Sequence, residues 1–158
     1  MYLILNREQG EKSDYAAVEY QLQQIFKTNF LEDIKRSYHE SQITYSTLPE
    51  SIKAIKSSSI IMNPEVRGND FLVRFDAMEI QMAKINHKKV NLIPIIISSR
   101  EKISKNEKLS LTIKTLLSNQ TSGYVSEVGK IIHGRYLKSA LIRIKDYKNS
   151  AQKLISSR

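Results

Sequence analysis

The sequence predicts a three-layer α/β fold, in which helices cover both faces of a central, mostly parallel β-sheet and further helices follow at the C-terminus. Short apolar runs alternate with segments of helical periodicity over residues 2–98, which is typical of strands that alternate with helices. The run 90–98 is apolar enough for a strand that is buried on both faces. A length of 158 residues and an apolar fraction of 41% fit one domain with its own core. We therefore expect a single domain over residues 1–158, with the core at 2–98 and a helical part at 105–150.

The first elements are a strand and a helix. Residues 2–6 form a short apolar run that predicts the strand, and an amphipathic helix is predicted from Asp14 onward. Its apolar positions are Tyr15, Val18, Leu22, Ile25 and Phe26. Residues 30–46 leave two places open for a weak strand, one near Ile34 and one at 42–45.

The middle of the chain predicts two further strand-to-helix steps. Thr47 and Glu50 have the spacing of a capping box and predict a short helix that ends near Lys56. Residues 58–64 then predict a strand, and a second helix is expected to begin after Asn69 or Asp70. The apolar stripe of this second helix would be Phe71, Phe75, Met78, Met82 and Ile85.

After the strand at 90–98, the pattern becomes more polar. We predict a polar connector at 99–108, a short helix at 109–117, a loop at 119–123 and a last helix at 125–148. This last helix would direct Val128, Ile132, Leu137, Leu141 and Ile144 toward the body of the domain.

Composition excludes several functional classes. The chain has no cysteine, which rules out disulfides, thiolate zinc sites and cysteine nucleophiles. Its three histidines lack metal-type spacing, and there is no glycine-rich phosphate loop or nucleophile elbow. No apolar run is long enough to cross a membrane, so we expect a cytoplasmic protein without membrane contact.

The net charge of +9 is unevenly distributed along the chain. Residues 1–85 have 10 Lys/Arg and 12 Asp/Glu, a net of −2, whereas residues 86–158 have 15 and 4, a net of +11. This basic half is either a solvated lysine-rich face or a surface that binds the phosphates of a nucleic acid. The nucleic-acid hypothesis depends on the predicted last helix, whose cationic positions are 130, 135, 138, 143, 145 and 148, with Tyr136 and Tyr147 between them.

Two carboxylates lie three residues apart in the predicted helix that begins near Phe71. Asp76 and Glu79 would be neighbours at the edge of its apolar stripe, where partial burial raises a pKa and prepares a carboxyl group for acid, base or electrostatic chemistry. The alternative is structural: Glu79 extends into water or pairs with a lysine. Asp76 is interpreted as an ordinary surface charge.

The segment 54–97 resembles the second half of a Toll/interleukin receptor (TIR) domain. Phe75 and Glu79 have the spacing of that family's Trp-x-x-x-Glu motif, Ala83 is the small residue one turn later, and residues 93–95 match its Ile-Pro-Ile strand. The layout of the first strand and helix is also similar, so the resemblance covers about residues 2–98.

The first strand departs from the family pattern. It ends in Leu5, Asn6, Arg7 and Glu8, where the family has an aromatic-x-Ser-Tyr motif. Because ligands of parallel sheets bind at the carboxyl ends of the strands, Asn6, Arg7 and Glu8 are candidate substrate contacts, with Arg7 suited to a pyrophosphate.

What the resemblance implies is a flavodoxin-like arrangement and an enzyme that cleaves the nicotinamide–ribose bond of NAD, as a hydrolase or a cyclase, in a signalling or defence response. Glu79 would stabilise the positive charge that develops on the ribose, and Phe75 would be a wall against the ribose or nicotinamide. NAD would be the substrate, with no other cofactor and no metal, and the protein would form homo-oligomers. A non-catalytic TIR-like module that binds protein partners is the alternative, and nucleic-acid binding is a third hypothesis.

Overall fold

The computed structural model describes residues 10–45, 59–82, 90–122 and 125–157. Its helices are α1 (Gly10–Ser37), α2 (Lys105–Ser122) and α3 (Ile144–Ser156). Its strands are β1 (Ile43–Tyr45), β2 (Ser59–Met62), β3 (Glu65–Arg67), β4 (Leu72–Arg74), β5 (Ala77–Met82), β6 (Val90–Ser98), β7 (Val128–His133) and β8 (Lys138–Arg143). No helix within these ranges is long and apolar enough to span a membrane.

Six of the strands form one mixed sheet in the order β1-β2-β5-β6-β7-β8, and β3 and β4 form a separate hairpin. The β1–β2 and β6–β7 pairs are parallel, whereas the other three pairs are antiparallel. Four strands therefore share one direction, and β5 and β8 run against them. The α/β class is confirmed, but the sheet is mixed rather than mostly parallel, because β2, β5 and β6 form an antiparallel meander in place of a helical crossover.

Residues 72–74 and 77–82 are strands, and the predicted helix over this segment is wrong. Gly68 begins the tight turn of the β3–β4 hairpin, and a Cβ there would lie 2.4 Å from the Phe71 ring. Asn63 has a φ of 52°, a left-handed conformation that asparagine tolerates, and its N–H donates to the carbonyl of Asp76. Spacings of three and four residues also occur in strands with two buried faces, so the apolar pattern alone cannot distinguish the two structures.

Helix α1 is confirmed, but its predicted apolar stripe is largely exposed, and Phe26 is the member that packs against the apolar cluster on the sheet. Phe30 and Ile34 are buried against the sheet. The side chains of the predicted stripe are between 45% and 71% exposed at Tyr15, Val18, Leu22 and Ile25. The sheet is covered instead by a different side of the helix, formed in its C-terminal half.

Of the two open placements, the strand at 42–45 agrees with β1, whereas Ile34 belongs to α1. The strand at 58–64 agrees with β2, and the buried run at 90–98 agrees with β6 in the interior of the sheet. The predicted strand at 2–6 and the predicted helix from Thr47 to Lys56 lie outside the described residues.

The C-terminal part differs from its prediction. The helix predicted at 109–117 exists but extends over Lys105–Ser122 and includes part of the predicted loop. The helix predicted at 125–148 is wrong, because β7 and β8 form a hairpin before α3 begins. Its turn contains Gly134 at a φ of 77° and Leu137 at 51°, conformations that a continuous helix cannot contain.

Two apolar clusters lie on opposite faces of the sheet. One contains Phe30 and Ile34 of α1 together with Ile95, and the other contains Leu111 of α2 together with Met78. Helix α1 therefore covers one face of the sheet, while α2, α3 and the β3–β4 hairpin cover the other.

Candidate ligand-binding cleft

Glu79 is held in an ion pair on the sheet. Its two carboxylate oxygens lie 2.8 and 2.9 Å from Nζ of Lys130, and its side chain is 15% exposed. The two residues lie on the strands that flank β6. Glu79 on β5 is opposite Ile93, and Lys130 on β7 is opposite Ile95, so the lysine side chain reaches diagonally across β6 to the carboxylate. Among the described residues, Glu79 is not in the lining of the four best-formed cavities.

The charge of Glu79 also acts on Tyr38, which follows α1. Burial of the phenol raises the pKa of Tyr38 above its ordinary value, and the nearby Glu79 carboxylate raises it further. Both effects disfavour the phenolate, so Tyr38 remains a neutral neighbour of the ion pair.

A polar cleft lies at the edge of the sheet where β2 and β6 end and β5 begins. It consists of two adjoining cavities of about 630 and 620 Å³ that share Gln23, Ile97, Glu107 and Ser110 in their linings. Helix α1 forms one wall and the first half of α2 forms another, and the β3–β4 hairpin closes one end.

Asp76 and Gln23 fix the floor of the cleft. One oxygen of Asp76 accepts the N–H of Ile97 at 2.7 Å, and the other lies 3.2 Å from Nζ of Lys27. The side-chain amide of Gln23 donates to the carbonyl of Ile97 at 2.5 Å and accepts the N–H of Ser99 at 3.1 Å. Because these bonds join α1 to the end of β6, the polar groups of the floor are held in place before a ligand arrives.

Glu107 lies on the α2 wall and caps that helix. Its carboxylate accepts the N–H of Ser104 at 3.0 Å and the Ser104 hydroxyl at 3.1 Å, while the Ser104 hydroxyl accepts the N–H of Glu107. Burial favours the neutral acid, but hydrogen bonds from Ser98 and Ser104 and the charge of Arg100 outweigh it and lower the pKa of Glu107. The carboxylate is therefore charged at neutral pH.

The remaining charges of the cleft are an ion pair, two cations and the carboxylate of Glu19 on α1. Arg74 pairs with Glu65 at 2.8 Å on the hairpin. Lys114 on α2 and Arg100 after β6 form no ion pair with any described residue.

Most of the predicted site residues do not come together. Phe75 does line the cleft, although it is only 3% exposed and belongs to the core. Glu79 lies elsewhere on the sheet, and Asn6, Arg7 and Glu8 lie outside the described residues.

The predicted cationic stripe of the last helix is divided among several elements. Lys130 is on β7 and paired with Glu79, and Arg143 is on β8 and pairs with Asp146 at 3.2 Å. Of its six cationic positions, only 145 and 148 belong to α3. No cluster of three or more potential metal-binding side chains occurs within the described ranges.

Sequence reasoning missed Gln23, Lys27, Glu107 and Lys114. Ser104 and Glu107 have the spacing of a capping box, a signal that would have placed the start of α2 correctly. The polar positions Gln23 and Lys27 had no such signal, because their importance depends on which side of α1 faces the sheet.

Comparison of the chain with models of known protein families gives no match, and comparison with curated proteins gives no significant relative. The function is therefore inferred from the geometry of the cleft and from the resemblance to TIR domains.

Proposed function

We propose that this domain is a binding module whose cleft takes a nucleotide, and that Glu79 does not act as a catalytic residue toward NAD. The observation that carries the proposal is the cleft itself: preorganised polar groups lie at the carboxyl ends of β2 and β6, the place where α/β sheets bind their ligands.

The chemistry of the lining favours a phosphate-bearing ligand. Lys114 and Arg100 are unpaired among the described residues and flank the shared part of the two cavities. Asn63 and Ser110 offer hydrogen-bonding groups for a ribose or a base. Each cavity falls within the range of about 300–1,000 Å³ that is typical of small-molecule sites, and together they form an elongated space suited to a dinucleotide.

The state of Glu79 supports binding without cleavage. A carboxylate that stabilises a developing positive charge on ribose must face the substrate, whereas both oxygens of Glu79 are bound to Lys130. NAD cleavage would require this pair to open and a cleft to form beside it. The NAD-consuming enzyme therefore stays as the competing proposal.

The TIR-like, flavodoxin-like interpretation, self-association and a place in signalling or defence belong to this proposal as what the resemblance implies. The common direction of four strands and the parallel β6–α2–β7 unit support the flavodoxin-like interpretation alone. NAD is accordingly the first ligand to test.

The test combines binding with turnover. NAD is titrated into the purified protein in a calorimeter, and free nicotinamide is followed by chromatography at high protein concentration, with and without a crowding agent. We expect NAD to bind without release of nicotinamide. Lys114→Ala should raise the Kd about five- to tenfold, because one charged phosphate contact is lost.

Lys35→Ala is the matched control, since Lys35 is an exposed lysine of α1 outside the cleft lining, and it should leave the Kd unchanged. Nicotinamide that is released by the wild type but not by Glu79→Gln would establish the enzyme instead. If NAD does not bind, or if Lys114→Ala binds it normally, the nucleotide site in this cleft is disproved.

A further inference from the structure

A second cavity of about 430 Å³ lies at the opposite edge of the sheet, where β7 begins and β8 ends. We call it the α2–α3 pocket, because side chains of both helices line it. Its position makes it independent of the cleft and of the function proposed there.

The floor and the mouth of the α2–α3 pocket are apolar. Leu116 of α2, Val128 of β7 and Ile144 of α3 line it, together with Val125 from the link between α2 and β7. Val125 is 69% exposed, so an aliphatic side chain at the mouth is left in water. An apolar ligand would remove this surface from solvent, which is favourable at about 25 cal/mol per Å².

Hydrogen bonds fix the walls of the pocket. Asn119 accepts the N–H of Ser126 at 2.9 Å and donates to its carbonyl at 3.4 Å, which holds the link against α2. The N–H of Ile144 donates to the carbonyl of Glu127 at 3.0 Å and joins the start of α3 to the same link. The pocket is therefore formed before a ligand binds.

The rim is cationic. Arg143, Lys145 and Lys148 line the pocket, and Glu127 is the single carboxylate among its lining residues. Arg143 forms an ion pair with Asp146, whereas Lys145 and Lys148 form no ion pair with any described residue. An anionic head group at this rim would find two free ammonium groups beside an apolar floor.

We propose that the α2–α3 pocket binds an amphiphilic anion, in which a carboxylate or phosphate head contacts Lys145 and Lys148 and an aliphatic chain of moderate length packs on Leu116, Val128 and Ile144. Neither half of this ligand is sufficient. A small ion has no apolar surface to bury, and a neutral chain makes no use of the rim.

Decanoate below its micelle concentration is the probe, with acetate and decanol as the two partial ligands. Binding is measured by calorimetry and by amide chemical shifts of Leu116 and Val128. We expect decanoate to bind and to shift these amides, and neither acetate nor decanol to do so at the same concentration. Salt should weaken the binding, because it screens exposed lysines.

The double variant Lys145→Ala/Lys148→Ala should raise the Kd for decanoate at least about tenfold. Lys153→Ala is the matched control, since Lys153 is exposed on the same helix but is not a lining residue, and it should leave the Kd unchanged. Val125→Asp, which adds a negative charge at an exposed position of the mouth, should abolish binding without loss of the fold.

Decanoate that does not bind the wild type overturns the proposal. Equal binding to the wild type and the double variant, or equal shifts with acetate, overturns it as well. Because NAD binding in the cleft is measured separately, failure here and failure of the nucleotide site are distinguishable.

Discussion

The role of the Glu79 carboxylate depends on the secondary structure and the side chains around it. On a helix it would lie beside Asp76, but on β5 it faces the α1 layer, and its partner Lys130 is 51 residues away. A partly buried carboxylate without this partner would carry an unfavourable desolvation energy, which the lysine offsets. At the residue scale, the ion pair with Lys130 gives Glu79 a structural contribution.

A double-mutant cycle measures this role. Glu79→Gln and Lys130→Met should each lower the free energy of unfolding by about 1–3 kcal/mol, between the values for exposed and fully buried pairs. The double variant should lose less than the sum of the two by at least about 0.5 kcal/mol, because the second substitution removes a charge that the first has left unpaired. Urea unfolding provides the measurement.

Arg74→Met is the matched control for this cycle. It breaks the more exposed Arg74–Glu65 pair, whose contribution should stay below about 1 kcal/mol. Strict additivity of Glu79→Gln and Lys130→Met would mean that their contact contributes nothing to stability.

At the scale of elements, α2 depends on the reciprocal cap between Ser104 and Glu107. The pKa of Glu107 is lower in the folded protein than its ordinary value, so the cap stabilises the fold above the unfolded pKa and this contribution is lost as the pH falls through the folded pKa. Glu107→Gln should lower the free energy of unfolding by about 0.5–2 kcal/mol at neutral pH. The difference from the wild type should shrink as the pH falls below the ordinary pKa of a glutamate.

Glu127→Gln is the control for the pH series. Glu127 is exposed, so its replacement should change the free energy of unfolding by less than about 0.5 kcal/mol. A constant difference between the wild type and Glu107→Gln across the whole pH range would refute the charged cap.

Helix α1 shows two parts with different packing. Its C-terminal half buries Phe30 and Ile34, while the apolar residues of its N-terminal half remain largely exposed. Periodicity predicted the helix correctly because the repeat is local. Helix α1 has two sets of apolar residues on different sides, however, and the sequence does not indicate which set packs on the sheet.

At the scale of the whole molecule, the central sheet joins segments that are far apart in the sequence. Hydrogen exchange should accordingly be slowest in β2, β5, β6 and β7, which have neighbours on both sides. Along α1, protection should increase from residues 10–22 toward Phe30 and Ile34, because only the latter part is buried. Amide exchange followed by NMR at several protein concentrations provides the test.

Uniform protection along α1 at low concentration would contradict this gradient. Protection of residues 10–22 that increases with concentration would instead identify the exposed apolar residues as a contact between copies.

The sequence by itself determined the α/β class and the positions of α1, β2, β6 and α2, because these elements have strong local patterns: a helical repeat, or an apolar run ended by polar residues. It also excluded cysteine chemistry. Only the tertiary structure decided that residues 72–74, 77–82 and 128–143 form strands, since apolar residues at spacings of three and four fit either structure until neighbouring strands supply hydrogen bonds. The tertiary structure likewise decided which residues form the cleft. Gln23, Asp76 and Glu107 are far apart in sequence and meet only because α1 and α2 pack at the same edge of a mixed sheet.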